Sequence, residues 1–140
     1  MNSLLTRRSF LVSTAAASAL AWVPLRAAER PRKKIALIGT EVRRHSHAQH
    51  FIDRFLLGYA WAGGWRRSDV DLVSLYIDQF PEGDLARATA KRFGVPIYPT
   101  IAEALTLGTA RLAVDGVVII GEHGKYPKNE KGQTLYPRYK

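Results

Sequence analysis

Three apolar runs, each ending at a glycine or an aspartate, constrain the fold of this chain more than any other feature. They cover residues 35–38, 70–77 and 114–120 and are rich in valine, isoleucine and leucine. Short runs of this kind predict strands that are buried on both faces, which is typical of a parallel sheet. We therefore expect these runs to be the neighbouring strands of one sheet.

Helical patterns lie between the apolar runs. Ser46 and Gln49 fit a capping box, which predicts a helix that opens at Ser46. Apolar residues at helical spacing predict its buried stripe: Ala48, Phe51, Ile52, Phe55, Leu56 and Tyr59. Residues 84–93 predict a second helix, which Gly94 ends and Pro96 prevents from continuing.

The remaining segments predict shorter elements. Ile97 and Tyr98 indicate a short strand, and Thr100 caps a brief helix that runs to Leu107. Residues 60–68 are expected to form a glycine-broken loop that carries two tryptophans. The tail beyond the last apolar run is polar and rich in turn formers, with no clear period.

The alternation of strands and helices predicts an α/β fold with right-handed crossovers. We expect a Rossmann-like parallel sheet with flanking helices, a partial domain of about four strands within residues 29–140. Sheets of this kind bind ligands beyond the carboxyl ends of their strands. The residues at these predicted ends are Gly39, Thr40, Glu41, Asp78, Gly121, Glu122 and His123.

Residues 1–28 are predicted to be a twin-arginine (Tat) signal peptide. Arg7 and Arg8 precede an uncharged apolar stretch, and small residues follow at Ala27 and Ala28. The stretch has about fourteen residues, too few to span a bilayer of about 30 Å as a helix. We expect export by the Tat machinery, a periplasmic or other extracytoplasmic location, and membrane contact only during export. An uncleaved N-terminal anchor is the alternative.

Composition excludes several kinds of site. The chain has no cysteine, so it has neither disulfides nor thiolate chemistry. Its formal net charge is +9, but the basic residues are scattered, and Arg7, Arg8 and Arg26 belong to the predicted leader. We therefore do not expect nucleic acid to be a partner of this exported chain.

From about Lys34 to His123, the chain resembles the N-terminal domain of the Gfo/Idh/MocA oxidoreductase family. The similarity is carried by Asp78 and by four stretches: residues 34–40, 90–98, 101–105 and 114–120. The resemblance implies that this domain binds NAD or NADP. It also implies hydride transfer to or from a sugar or polyol, in a full-length form of the protein.

The resemblance also assigns roles to the strand-end residues. It implies that Gly39, Thr40 and Glu41 meet the cofactor phosphates, and that Asp78 holds the ribose hydroxyls and favours NAD over NADP. Gly121 and Glu122 would lie near the nicotinamide. His123 would be the catalytic candidate, donating a proton or orienting a sugar hydroxyl, because imidazole exchanges protons near neutral pH.

The chain departs from the family pattern in two places. The phosphate loop Gly-x-Gly-x-x-Gly corresponds to residues 39–44, where only Gly39 is present. Glu41 brings a negative charge toward the phosphates, which Arg43 or Arg44 would offset unless Glu41 points away. The family's second domain, with substrate and catalytic groups, has no counterpart here. We therefore expect the front part of a longer protein, and homo-oligomer formation stays open.

Three alternatives remain open from the sequence. His45, His47 and His50 form a His-x-His-x-x-His pattern with ligands that suit a metal, or they form an ordinary polar helix face. The second alternative is that the chain is a non-redox sugar- or metal-binding protein on the same scaffold. The third alternative is a non-functional truncated remnant that aggregates or is degraded.

Overall fold

The computed structural model describes residues 31–121 and 123–136. The predicted signal peptide and Glu122 lie outside the described residues. The elements, in chain order, are β1 (Lys33–Gly39), α1 (His47–Leu57), β2 (Tyr59–Trp61), β3 (Gly64–Arg66), β4 (Val70–Ile77), α2 (Ala86–Phe93), α3 (Ile101–Thr106) and β5 (Gly116–Ile120).

The main sheet contains the three predicted apolar runs as neighbours. Its strand order is β4-β1-β5, and β1 pairs in parallel with both other strands. Leu37, in the central strand, lies opposite Leu75 on one side and Val118 on the other. The prediction of an α/β fold with a Rossmann-like parallel sheet and flanking helices is confirmed.

The predicted strand at Ile97 and Tyr98 forms only an isolated bridge. Ile97 pairs in parallel with Leu75 beyond the outer side of β4. The Leu75 amide donates to the Pro96 carbonyl at 2.9 Å, and the Tyr98 amide donates to the Leu75 carbonyl at 2.8 Å. The segment does not lengthen into a fourth strand because Pro96 and Pro99 have no N–H to donate to a ladder.

The two faces of the sheet are covered unequally. One face packs against α1 and α2 through a core that includes Leu37, Leu75, Ile52 and Ala90. On the opposite face, α3 packs through the fully buried Ala104, whose carbonyl accepts a hydrogen bond of 2.7 Å from the Ser74 hydroxyl. Beyond α3 this face is open, and Ile119 is 74% exposed. The prediction that the strands are buried on both faces is therefore wrong for β5, because no helix covers its outer face among the described residues.

Helix α1 begins where the capping box predicts, with one change in the hydrogen bonds. The Ser46 hydroxyl accepts from the Gln49 amide at 3.2 Å, as expected. The Gln49 side chain reaches back to the His45 amide at 2.6 Å, one residue earlier than in the standard box. The predicted stripe is correct at Ala48 and Ile52, which are buried, whereas Tyr59 lies outside the helix in β2.

The predicted loop over residues 60–68 is wrong, because this region contains a β-hairpin. Strands β2 and β3 pair antiparallel, with Tyr59 opposite Arg66 and Trp61 opposite Gly64. Ala62 and Gly63 form the two-residue connection, and both have positive φ angles, of 48° and 79°. Such angles match the twist of a tight hairpin. The usual sequence signal for this turn is Asn-Gly, and it is absent here because the first turn residue is Ala62.

No helix among residues 31–121 and 123–136 is long and apolar enough to cross a membrane.

Candidate functional site

A groove of about 950 Å³ lies over the open face of the sheet and extends to the carboxyl ends of its strands. Ile38, Val117 and Ile119 contribute apolar side chains from β1 and β5, and α3 contributes Ile101 and Leu105. The other lining residues are Gly39, Thr40, Tyr76, Asp78, Gly121, His123, Tyr126 and Tyr136. We call this cavity the carboxyl-edge groove. It combines an apolar floor with one polar end.

Five of the predicted site residues come together in this groove: Gly39, Thr40, Asp78, Gly121 and His123. They belong to the ends of three neighbouring strands, which the parallel topology brings to one edge of the sheet. Glu41 does not line the groove. The structure therefore unites residues from all three predicted strand ends.

Asp78 is the polar centre of the groove. Its Oδ1 accepts a hydrogen bond of 3.0 Å from the Tyr76 hydroxyl, and its Oδ2 accepts one of 2.8 Å from the Tyr126 hydroxyl. The Gln79 side-chain amide also donates to Oδ2, at 3.4 Å. A carboxylate has roughly four acceptor sites, so Asp78 retains capacity to accept from the hydroxyls of a ligand.

The two tyrosines that donate to Asp78 keep their protons to a higher pH than an ordinary phenol does. Burial raises the pKa of the Tyr76 phenol, and the adjacent Asp78 carboxylate raises it further. Burial is also the main cause that raises the pKa of Tyr126, and Asp78 adds to the increase while the Thr40 hydroxyl opposes it. Both phenols therefore remain hydrogen-bond donors in neutral solution.

Residues 123–136, the closing segment, form one wall of the groove. The Gln79 side chain binds the backbone of Lys125 twice, accepting at 2.8 Å and donating at 3.4 Å. Gly124 has a φ of 85°, and a Cβ there would run into the Thr40 side chain and the Tyr126 ring. The segment approaches the sheet edge this closely because residue 124 is a glycine.

Tyr126 and Tyr136 are functional candidates that the sequence analysis missed. Their rings meet edge to face, with centroids 5.4 Å apart, and both line the groove. The closing segment doubles back at an antiparallel bridge between Lys128 and Thr134, which brings these rings together. The sequence did show aromatic residues in an otherwise polar tail, which could have pointed to them. A search for hydrophobic periodicity does not detect such a pair.

The loop between β1 and α1 uses several of its amides internally. The Arg43 amide donates to the Ser46 hydroxyl, and the Ser46 amide donates to the Arg43 carbonyl. The His45 amide binds Gln49, as described above. Amides satisfied in this way are not free to cradle a phosphate, which is the role of this loop in dinucleotide-binding domains.

Gly39 has a packing role at the end of β1. A Cβ at this position would lie 3.3 Å from the Ile77 side chain and 3.4 Å from the Leu37 side chain. The Ala48 methyl group of α1 would be 3.9 Å away. A side chain here would therefore require the Ile77 and Leu37 side chains to move slightly, whereas the Ala48 methyl group would be in ordinary contact.

Glu41 forms an ion pair within the same loop. Its Oε1 lies 2.6 Å from Arg43 Nε, and its side chain is only 10% exposed. The negative charge that opposes phosphate binding is thus largely balanced by Arg43. The same pairing uses a cation that would otherwise attract a phosphate.

The histidine pattern does not form a three-ligand centre. The rings of His45 and His50 have centroids 6.4 Å apart. Within the part of the chain that the structure describes, no group of three or more His, Cys, Asp or Glu residues is arranged to hold a metal ion. A metal-binding function therefore has no three-ligand site among these residues.

Comparisons with known proteins add no relative. No family model, curated protein or solved structure matches the chain.

Proposed function

We propose that this chain is the dinucleotide-binding part of an exported oxidoreductase that transfers hydride between NAD(P) and a sugar or polyol in its full-length form. The position of Asp78 carries the proposal. It follows β4, the strand next to β1, and it shares a groove with Gly39 and Thr40. In dinucleotide-binding domains an acidic residue at this position accepts hydrogen bonds from the ribose hydroxyls.

The hydrogen-bonding groups of the groove fit the ribose end of the cofactor better than its phosphate end. Asp78 retains about one acceptor site beside Tyr76, Tyr126 and Gln79, and its negative charge disfavours a 2′-phosphate, so NAD is preferred over NADP. The Arg43 and His45 amides near Ser46 are already hydrogen-bonded within the loop. Gly39 packs closely against the side chains of Ile77 and Leu37. A bound NAD would supply the hydride-accepting ring, and its pyrophosphate would need contacts other than the standard glycine loop.

His123 is the residue that we propose to handle a proton at the substrate. It lies in the groove just beyond β5, is exposed, and has a φ of 64°. An imidazole at the mouth of the groove is suited to take a proton from a sugar hydroxyl. Gly121, immediately after β5, leaves space beside it, since a Cβ there would meet nothing within 4 Å.

Calorimetric titration of the full chain with NAD tests the proposal. We expect Asp78→Asn to weaken NAD binding about tenfold or more, because a charge-assisted acceptor is lost. Asp71→Asn is the matched control: Asp71 lies at the start of β4, the strand that Asp78 follows, and is paired with Arg32 outside the groove. No NAD binding by the unmodified chain, or equal affinities for both variants, would contradict the proposal.

A second candidate is binding of a sugar or polyol without a cofactor. The satisfied amides near Ser46 and the Glu41–Arg43 pair favour it, because both reduce the capacity of the loop for phosphate. Titration of the same preparation with monosaccharides and polyols separates the two functions. Sugar binding that is lost in Asp78→Asn, with no response to NAD, would support this second function.

We also propose that residues 1–28 direct the chain through the Tat machinery. The Arg7–Arg8 pair and the apolar stretch after it support this proposal. Replacement of both arginines by lysine should leave the chain in the cytoplasm, as measured by cell fractionation. Unchanged export of that variant would argue against the Tat route.

A further inference from the structure

The hairpin of residues 59–66, which we call the tryptophan hairpin, presents two large aromatic side chains to solvent. Trp61 is 63% exposed and Trp65 is 69% exposed. Gly63, in the turn, would meet nothing within 4 Å if it carried a Cβ, so the tip projects into open space. Exposed tryptophans grouped in this way indicate an interaction surface.

The two indoles lie on opposite faces of the hairpin. Trp61 pairs with Gly64, and Trp65 pairs with Ala60, in adjacent positions of the antiparallel register. Because successive side chains of a strand alternate between faces, neighbouring pairs point in opposite directions. Contact with a flat protein surface would bury only one of these faces, whereas immersion of the tip buries both.

The base of the hairpin is attached firmly to α1. The indole nitrogen of Trp65 donates to the Leu57 carbonyl at 3.0 Å. Gly58 joins helix and hairpin, and a Cβ there would lie 2.5 Å from the Arg66 carbonyl oxygen. Phe51 and Leu57 add apolar surface on α1, with exposures of 39% and 42%.

Cationic side chains accompany these apolar groups. Arg54 of α1, Arg66 of β3 and Arg67 just after it are exposed. None of the three arginines forms an ion pair with a residue in the described ranges, 31–121 and 123–136. Asp53, next to Arg54, and Asp69 are their acidic neighbours in the chain, so the three arginines outnumber these carboxylates by one. The surface therefore combines tryptophan with excess positive charge.

We propose that the tryptophan hairpin binds the surface of an anionic phospholipid bilayer. Indole rings favour the headgroup region because each combines a large apolar surface with one polar N–H group, which in Trp65 is already bonded to the Leu57 carbonyl. Arg54, Arg66 and Arg67 complement the negative headgroups. Immersion of the tip into this layer buries both faces of the hairpin at once. The proposal adds a lasting membrane contact to the one expected during export.

The test measures lipid contact at each indole separately. The full chain also contains Trp22, so Trp22→Phe/Trp65→Phe leaves only Trp61 as a reporter, and Trp22→Phe/Trp61→Phe leaves only Trp65. Each variant is mixed with phosphatidylglycerol vesicles that contain phospholipids brominated on the acyl chains. We expect a blue shift and quenching of the emission from both reporters, and much weaker quenching with phosphatidylcholine vesicles.

The charge contribution is tested by Arg66→Gln/Arg67→Gln in the wild-type background. Loss of two surface cations should lower the partition coefficient on phosphatidylglycerol vesicles about thirtyfold, and added salt should reduce that difference. Arg111→Gln/Leu112→Ala is the matched control, because it removes an exposed cation and an apolar side chain, 71% exposed, elsewhere on the domain. It should leave partitioning unchanged, and circular dichroism should show that all variants fold.

Two results would overturn the lipid proposal. The first is quenching of neither indole, or of only one, since immersion requires both. The second is self-association without vesicles, measured by analytical ultracentrifugation and abolished by Trp61→Ala/Trp65→Ala, which would assign the hairpin to a contact between proteins. Because the reporters lie on the hairpin, membrane binding by residues 1–28 cannot produce the expected result by itself.

Discussion

At the scale of single residues, the polar end of the groove depends on close contacts between distant parts of the chain. Asp78 accepts from Tyr126, which is 48 positions further along the sequence. Thr40 is 5% exposed, and its backbone carbonyl accepts from the Gln79 amide at 2.8 Å. Gly124 is the position where the closing segment comes nearest to both Thr40 and Tyr126. A small change at this contact should therefore affect stability and ligand binding together.

We expect Gly124→Ala to lower the free energy of unfolding by about 2–3 kcal/mol, because the new methyl group adds a steric conflict to an unfavourable backbone conformation. Gly132→Ala is the control: its φ of 76° is similar, but nothing lies within 4 Å of its Cβ position. This control substitution should lower the free energy of unfolding by about 1 kcal/mol. Urea unfolding measures both, and equal losses would show that the close approach at Gly124 is unimportant.

At the scale of elements, a cap and a turn determine where α1 begins and where the hairpin after it reverses direction. Ser46 is 3% exposed, and its hydroxyl accepts from the amides of both Gln49 and Arg43. It therefore holds the start of α1 and the preceding loop in one arrangement. The hairpin after α1 depends on Ala62, a non-glycine residue with positive φ, at a turn where the sequence carries a weak signal.

We expect Ser46→Ala to lower the free energy of unfolding by about 1–2 kcal/mol, since two amides lose their acceptor. Ser46→Thr keeps the hydroxyl and should recover most of the loss. Thermal unfolding followed by circular dichroism measures both variants. If Ser46→Thr were as unstable as Ser46→Ala, packing around the small side chain would matter more than the cap.

At the scale of the whole molecule, the sheet is buried on one face and partly open on the other. Leu37 is fully buried in the centre, whereas Ile119 on the open face of β5 is 74% exposed. The carboxyl-edge groove lies on this open face. In its floor Val117 and Ile119 are exposed and add little to stability, whereas Ile38 is only 9% exposed. Stability and ligand binding are thus divided largely, though not completely, between the two faces.

This division predicts different effects for two similar substitutions. Leu37→Ala should lower the free energy of unfolding by about 2–5 kcal/mol, because it leaves a cavity in a packed core. Ile119→Ala should change it by only about 0.5 kcal/mol, as expected of an exposed side chain. Urea unfolding of both variants checks the prediction. A comparable loss in Ile119→Ala would mean that the open face is covered in solution.

Alkaline pH should destabilise the domain. Burial and the Asp78 carboxylate raise the pKa of Tyr76 and Tyr126 above the ordinary value of 10.0, and Asp115 raises that of Lys33 above 10.5. The folded state therefore holds these protons more tightly than the unfolded state does. Their contribution is fully present below the unfolded values and is lost as the pH rises through the folded ones. Urea unfolding at several alkaline pH values measures the decline.

The double variant Tyr76→Phe/Tyr126→Phe should show a shallower alkaline decline than wild type, because two of the linked protons are removed. Asp115→Asn should remove the contribution of Lys33 without affecting the tyrosines. An alkaline profile that is the same in wild type and in the double variant would contradict the role of the two phenols.

The parallel sheet and most of the strand-end residues of the groove were predictable from the residue pattern alone. Apolar runs identified the strands, although not the open face of β5, and the carboxyl ends of parallel strands must meet at one edge, so Asp78 and Gly39 could be placed together from the sequence. The start of α1 could be predicted for a similar reason, since the Ser46 cap is a local interaction over a few residues.

How these residues are partnered and what closes the groove are evident only in the folded structure. The contact between Tyr126 and Asp78 spans 48 positions and leaves no periodic signal. The use of the loop amides near Ser46 and the pairing of Glu41 with Arg43 depend on backbone angles and side-chain directions that residue types do not specify. Hydrophobic patterns predict helices and strands because apolar residues recur along them at regular spacing. A site formed by single contacts between distant residues has no such pattern, so it can be recognised only in the folded chain.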